Sequence, residues 1–181
     1  MTRSLACLIA AAVLTAGVPA FADPPSVATA SPATALSPTD TFLVTAAGAN
    51  EFEIESSKLA QTKTSSEHIK QFAGEMVNDH TLAATKMKQA VNDAKLKAPP
   101  ETPDPKLAAV LTDLQHKEGA DFDKAYVDAQ YQAHVAAVTL FENYAQSGDN
   151  PRIKKFATEM LPTLRLHLDH VKKLKVSTGA T

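Results

Sequence analysis

Thiols are nearly missing from this chain: Cys7 is its one cysteine, and it sits inside the first apolar stretch. Arg3 supplies a positive start, Leu5 to Val18 is apolar, and Ala20-Phe21-Ala22 before Asp23 has the A-x-A form of a cleavage site. The pattern predicts a secretory signal over residues 1–22 and a mature chain from Asp23. The apolar run is shorter than the ~20 residues a spanning helix needs. Only six residues precede Cys7, too few for the apolar region of a lipoprotein acceptor. The expected mature protein therefore has no disulfide, cysteine nucleophile or thiolate ligand, and an exported domain of this kind must be held by packing alone.

Tryptophan is absent as well, and glycine is scarce at six residues, with no glycine-rich phosphate loop and no G-x-S-x-G elbow. Basic excess is lacking. Of 18 basic residues Arg3 leaves with the signal, so 17 face 20 acidic ones, a net charge of −3. That excludes the electrostatic footprint of a nucleic-acid partner. The mature chain has no apolar run fit for a transmembrane helix and none of the alternating strands of a barrel. What remains, 44% hydrophobic residues without tryptophan, suits an alanine-rich helical core.

The chain writes one octapeptide twice. Ile69 to Met76 reads I-K-Q-F-A-G-E-M and Ile153 to Met160 reads I-K-K-F-A-T-E-M, six identities in eight at a spacing of 84 residues. Each copy follows a polar turn, continues into an apolar stripe at helical spacing and carries a histidine on that stripe. The expectation is an all-α, ferritin-like four-helix bundle of two repeated hairpins.

Residues 23–39 are rich in Pro, Ala, Ser and Thr and predict a disordered linker; 40–176 predict the bundle, and 177–181 a flexible tail. Thr39 or Asp40 is expected to cap a first helix to about Gln61, with Phe42, Thr45, Ala49, Phe52, Ser56 and Leu59 inward. A second helix follows from Ser65 or Ser66, burying Ile69, Phe72, Met76, Met87 and Val91. Prolines 99, 100, 103 and 105 forbid helix and favour an extended strap, which a short helix over Lys106–Lys117 continues as a crossover. A third long helix from about Asp121 buries Phe122, Tyr126, Phe141 and Tyr144. Asn150 caps the fourth, with Pro151 at its first position and a kink expected at Pro162.

At 100° per residue, His80 shares the line of Ile69, Met76 and Met87, and His167 that of Met160, Leu164 and Val171. His134 and Glu53 fall near the edges of their stripes. Counted from the two turns, Glu53, His80, His134 and His167 lie about 10, 16, 14 and 18 residues deep, in helices of about 27 residues at ~1.5 Å each. All four converge on mid-bundle. One reading is a transition-metal site, zinc, iron or copper. The other is a buried layer in which each histidine is hydrogen-bonded to a neighbouring carboxylate, hydroxyl or water. No E-x-x-H occurs, so the di-iron pattern of ferritin-like oxidases is missing. Met76, Met87 and Met160 are spaced as core filler, and Asp79 is placed to orient an imidazole from a neighbouring helix.

Several words carry a family resemblance: Ala46-Ala47 with Glu53 and Leu59-Ala60, F-A-x-x-M-V-x-D-H over Phe72–His80, G-x-x-F-D-x-x-Y over Gly119–Tyr126 leading to His134, and L-P-x-L-x-x-H over Leu161–His167. From Phe42 to Leu174 the chain resembles a bacterial domain-of-unknown-function family of exported, ferritin-like helical proteins, often labelled predicted outer membrane proteins. The resemblance implies a ferritin-like bundle in the periplasm or associated with the outer membrane, and no established activity. The sequence thus points to a non-enzymatic binding or envelope-associated module, an envelope protein being the class of partner that fits. A metal-dependent redox enzyme and a purely structural module remain the alternatives. Intact mass of exported protein is expected to start at Asp23; a mass retaining Cys7, or one carrying diacylglycerol, overturns this reading of the leader.

Overall fold

The structure is a computed structural model that describes residues 36–179. The expected signal, residues 1–22, and most of the 23–39 linker lie outside the described residues. Among those described, every regular element is helical: α1 (Pro38–Lys63), α2 (Glu67–Asp93), α3 (Pro105–His116), α4 (Gly119–Ser147) and α5 (Pro151–Thr178).

The boundaries follow from local chemistry. Pro38 stands at the first helical position of α1, and the Ser37 hydroxyl accepts from the Asp40 amide. The helix therefore starts two residues before the expected Asp40, and Ser37, not Thr39 or Asp40, is its cap. Thr39 is buried instead, and its hydroxyl bonds Tyr144 and Asp149 across the turn that leads to α5. Ser66 caps α2, and Asn150 caps α5 ahead of Pro151. Asp104 caps α3, so Pro105, expected to break helix, opens one. α5 runs to Thr178, two residues into the expected 177–181 tail, and it passes through Pro162 as one helix. At the end of α2, Lys95 takes φ 57° while its amide bonds Asn92 and that of Leu96 bonds Val91. This is the Schellman arrangement with lysine where glycine is usual.

The long helices form a ring of neighbours: α1 packs on α2 and α4, and α5 packs on α4 and α2, while α3 lies on α1 and touches α4. The apolar core divides crosswise. One part, beside the α4–α5 turn, holds Phe42, Met87, Phe141, Ile153, Phe156 and Met160. The other, beside the α1–α2 turn, holds Ile69, Phe72, Met76, Phe122, Tyr126 and Val171. Both phenylalanines and both methionines of the repeated octapeptide are buried, one copy at each end of the ring.

The crossover is no tight hairpin. Residues 96–104 run without helix before α3, whose Leu114 is buried. Lys88 and Glu101 meet at 3.0 Å. Because strap and α3 cover one side of α1, its buried arc is wider than the sequence stripe: Leu43, Ala47 and Ser57 are buried, whereas Thr45 is exposed. At the far end Lys63 Nζ donates to the carbonyls of Gln115 and Lys117 and to Glu118, neutralising the C-terminus of α3.

Gly48 marks where the strap crosses α1. A Cβ there would stand 2.7 Å from the Thr102 carbonyl, whereas one at Gly74 meets only the Gln61 side chain at 3.9 Å. Both glycines are inside helices, where alanine is intrinsically better by ~1 kcal/mol. Thermal melts should therefore split: Gly74→Ala stabilises by up to about 1 kcal/mol, while Gly48→Ala destabilises by about 1–3 kcal/mol through overpacking.

Candidate metal centre

Between the two apolar parts lies a polar layer. His80, His134 and His167 are all buried, and their ring centroids are 5.4–5.8 Å apart. One nitrogen from each ring lies within 4.8 Å of those from the other two. Three different helices supply them. The different depths of His80 and His167 in their hairpins let them meet, since the two turns are at opposite ends of the ring.

The partners of each ring fix its tautomer. His134 Nδ1 is 2.9 Å from the Gln130 carbonyl oxygen, which can only accept, so that nitrogen carries the proton. His80 Nδ1 is 2.9 Å from Asn50 Oδ1, and His167 Nε2 is 2.9 Å from Asp79 Oδ2; each donates to its oxygen. The nitrogens left over, His80 Nε2, His134 Nε2 and His167 Nδ1, are buried and without hydrogen-bond partners. Every ring proton thus points away from the trio, leaving three lone pairs inside.

Glu53 is placed differently from the sequence expectation. It is buried and borders the same cavity, but it lies outside the three-nitrogen group. Its Oε1 is 3.5 Å from His134 Nδ1, the nitrogen already committed to Gln130, and its Oε2 has no partner. Burial raises its carboxyl above the ordinary value, opposed by His134 and the Gln130 amide. The contact is long, and it meets a nitrogen that already has its partner in the Gln130 carbonyl. Next to it Gln130 donates to Ser56, and Ser57 meets the Tyr126 hydroxyl at 2.9 Å.

Burial pushes the His80 imidazole well below its ordinary value, and His134 and His167 push the same way. Burial also lowers His167, against the hydrogen bond to Asp79 that raises it. Neutral imidazole is the form that ligates metal. The layer adjoins a cavity of about 40 Å³, whose other walls include Met87, Met160, Phe141 and Phe156. Met87 and Met160, spaced in sequence as filler, thus come to border the same space.

Asp79 orients an imidazole from α5, as its position suggested. Asn50 and the Gln130 carbonyl were missed: an asparagine on a helix flank carries no pattern, and a bond to the carbonyl four residues back is available to any helical histidine. The pairing of His170 with Glu75, 2.9 Å apart, was also unforeseen. His68 and His116 are exposed and take no part.

A family model described as "Domain of unknown function (DUF4142)" matches residues 24–174. No curated protein matches the chain. Among solved structures, a crystal structure described as "putative secreted protein DUF305 from Streptomyces coelicolor" is similar, with a TM-score of 0.65 at 14% identity, over 77% of this chain and 93% of that one. At that identity the likeness concerns the fold alone.

The metal-free protein should lose stability on acidification. His80 and His167 take up protons more readily unfolded than folded, so their contribution is complete above about 6.5 and is lost as pH falls from there toward their depressed folded values. Glu53 works oppositely: its contribution is complete below about 4.5 and is lost as pH rises through its raised folded value. Urea unfolding between pH 4 and 8 should show the acid-side fall shrinking in His80→Ala, and the loss toward higher pH vanishing in Glu53→Gln.

Proposed function

The chain belongs to the DUF4142 family, and on that premise we propose an exported, ferritin-like four-helix bundle of the periplasm or envelope whose core binds one transition-metal ion through His80, His134 and His167. The supporting observation is the set of three buried lone pairs with all three ring protons directed elsewhere. In a self-sufficient polar layer one ring would donate to the next. A water donates at most two hydrogen bonds, so one water leaves a lone pair unserved at a cost of ~1–3 kcal/mol. A single cation accepts all three. Asp79, Asn50 and the Gln130 carbonyl then act as the outer partners that hold ligating histidines in one tautomer.

The donor set suits zinc, copper or iron, and three protein ligands leave a further position open. Zn–N bonds of ~2.0–2.1 Å set tetrahedral ligands roughly 3.3 Å apart, so rings whose nitrogens lie within 4.8 Å close by rotamer adjustment. The set does not suit a di-iron centre, which needs carboxylates from four helices. Export is supported by the leader and by the secreted description of the structural neighbour. No helix of the described residues is long and apolar enough to cross a membrane.

A second reading, a metal-dependent redox enzyme, is favoured by one observation: the cavity beside the histidines also meets Glu53, a buried acid whose carboxyl burial raises above its ordinary value. Oxygen or peroxide consumption by metal-loaded protein separates it from simple binding.

Elemental analysis of untagged protein should find one ion per chain, and His80→Ala or His167→Ala should lower that content at least tenfold. Metal at 100 times Kd should stabilise the wild type by ~2.7 kcal/mol. If the layer is only structural, added zinc, copper or iron leaves the Tm unchanged and each His→Ala costs ~1–3 kcal/mol.

A further inference from the structure

We infer a second, outward-facing divalent-cation site on the α2–α5 seam, formed by Glu75, Asp79 and His170 and sharing His167 with the inner centre. Glu75 and Asp79 are four residues apart on α2, and His167 and His170 three apart on α5, so each pair faces the other across packed helices. Glu75, Asp79 and His167 offer ligand atoms all within 4.8 Å of one another. His170 stands outside that group of three and joins it through Glu75, its Nδ1 lying 2.9 Å from Glu75 Oε2. The side chains of Glu75, Asp79 and His170 are 32%, 39% and 39% exposed, accessible yet shielded, while His167 is buried.

Electrostatics favours a cation here. Two carboxylates are held together, and among the described residues neither has a lysine or arginine partner; each meets only a histidine. Two carboxylates side by side on one helix face bring two formal negative charges to the seam, which a divalent ion offsets. Two carboxylates and two imidazoles are a common set for zinc, cobalt and nickel.

His167 is the link between the sites. Its Nε2 faces Asp79 and its Nδ1 is the unpartnered inner nitrogen. With a cation on each side the ring holds one ion per nitrogen, and the Nε2 proton leaves to solvent. The seam is then a capture point through which an ion approaches the buried centre. The outer site does not require the inner one.

Titration of the whole mature protein with Zn²⁺, and with Co²⁺ followed by its visible spectrum, tests this. Wild type should bind two equivalents, Glu75→Gln/His170→Ala one, and His80→Ala/His134→Ala one. Exchange of His68 and His116 for alanine should leave two. The outer site is overturned if Glu75→Gln/His170→Ala keeps the full wild-type stoichiometry and affinity. If wild type binds one ion, lost with Glu75→Gln/His170→Ala but kept by His80→Ala/His134→Ala, the outer site stands and the inner centre falls. Circular dichroism checks that each variant is folded, and Glu75→Gln alone, which keeps the side chain's shape, should lower the affinity of one equivalent at least tenfold.

Discussion

A neutral imidazole has one proton and one lone pair, and burial demands a use for both. That constraint organises the middle of this molecule. Each of the three central rings has its proton fixed by an oxygen on its own or an adjacent helix: Asn50 on α1 for His80, the Gln130 carbonyl within α4, and Asp79 on α2 for His167. The ring orientations follow, and so does the convergence of three acceptors on a space whose other walls include methionine, phenylalanine, alanine and the Glu53 carboxyl. Low dielectric makes each unpartnered acceptor costly and would make each bond to a cation strong.

Without cysteine in the described domain, helix ends need other fastenings. Ser37, Ser66, Asp104 and Asn150 satisfy amides at four N-termini. Lys63 serves the carbonyls at the end of α3, and the Thr39, Tyr144 and Asp149 hydrogen bonds tie the start of α1 to the turn before α5. Phe42 stacks on Tyr144 at 4.1 Å in the same corner. These contacts join segments remote in sequence, which a disulfide would otherwise do. The crossover is likewise held by close approach, Gly48 admitting the strap and Leu114 entering the core.

Much of this was legible beforehand, because helical periodicity fixes direction and turn position fixes depth. Phe72, Phe156, Met76, Met160, His80 and His167 point inward for that reason. The inward face of α1 is less legible: periodicity turns Thr45 and Ala49 toward the core, but the strap and α3 form a third wall that no local pattern announces. Glu53 shared the layer's depth without sharing its focus, since depth and angle do not give the direction of a long flexible side chain. The orienting oxygens were mostly hidden, being a backbone carbonyl and a solitary asparagine. Only Asp79, adjacent to His80, stood in a word that suggested its task.

The repeated octapeptide ends at opposite ends of the ring, with Phe72 in one apolar cluster and Phe156 in the other, on helices that run in opposite directions. The two copies thus stand head to tail about the middle of the ring. Yet at the repeat spacing of 84, His80 corresponds to Leu164 and His167 to Ala83. Three imidazoles are an odd number, so the polar layer does not obey the repeat that orders the apolar residues on either side of it.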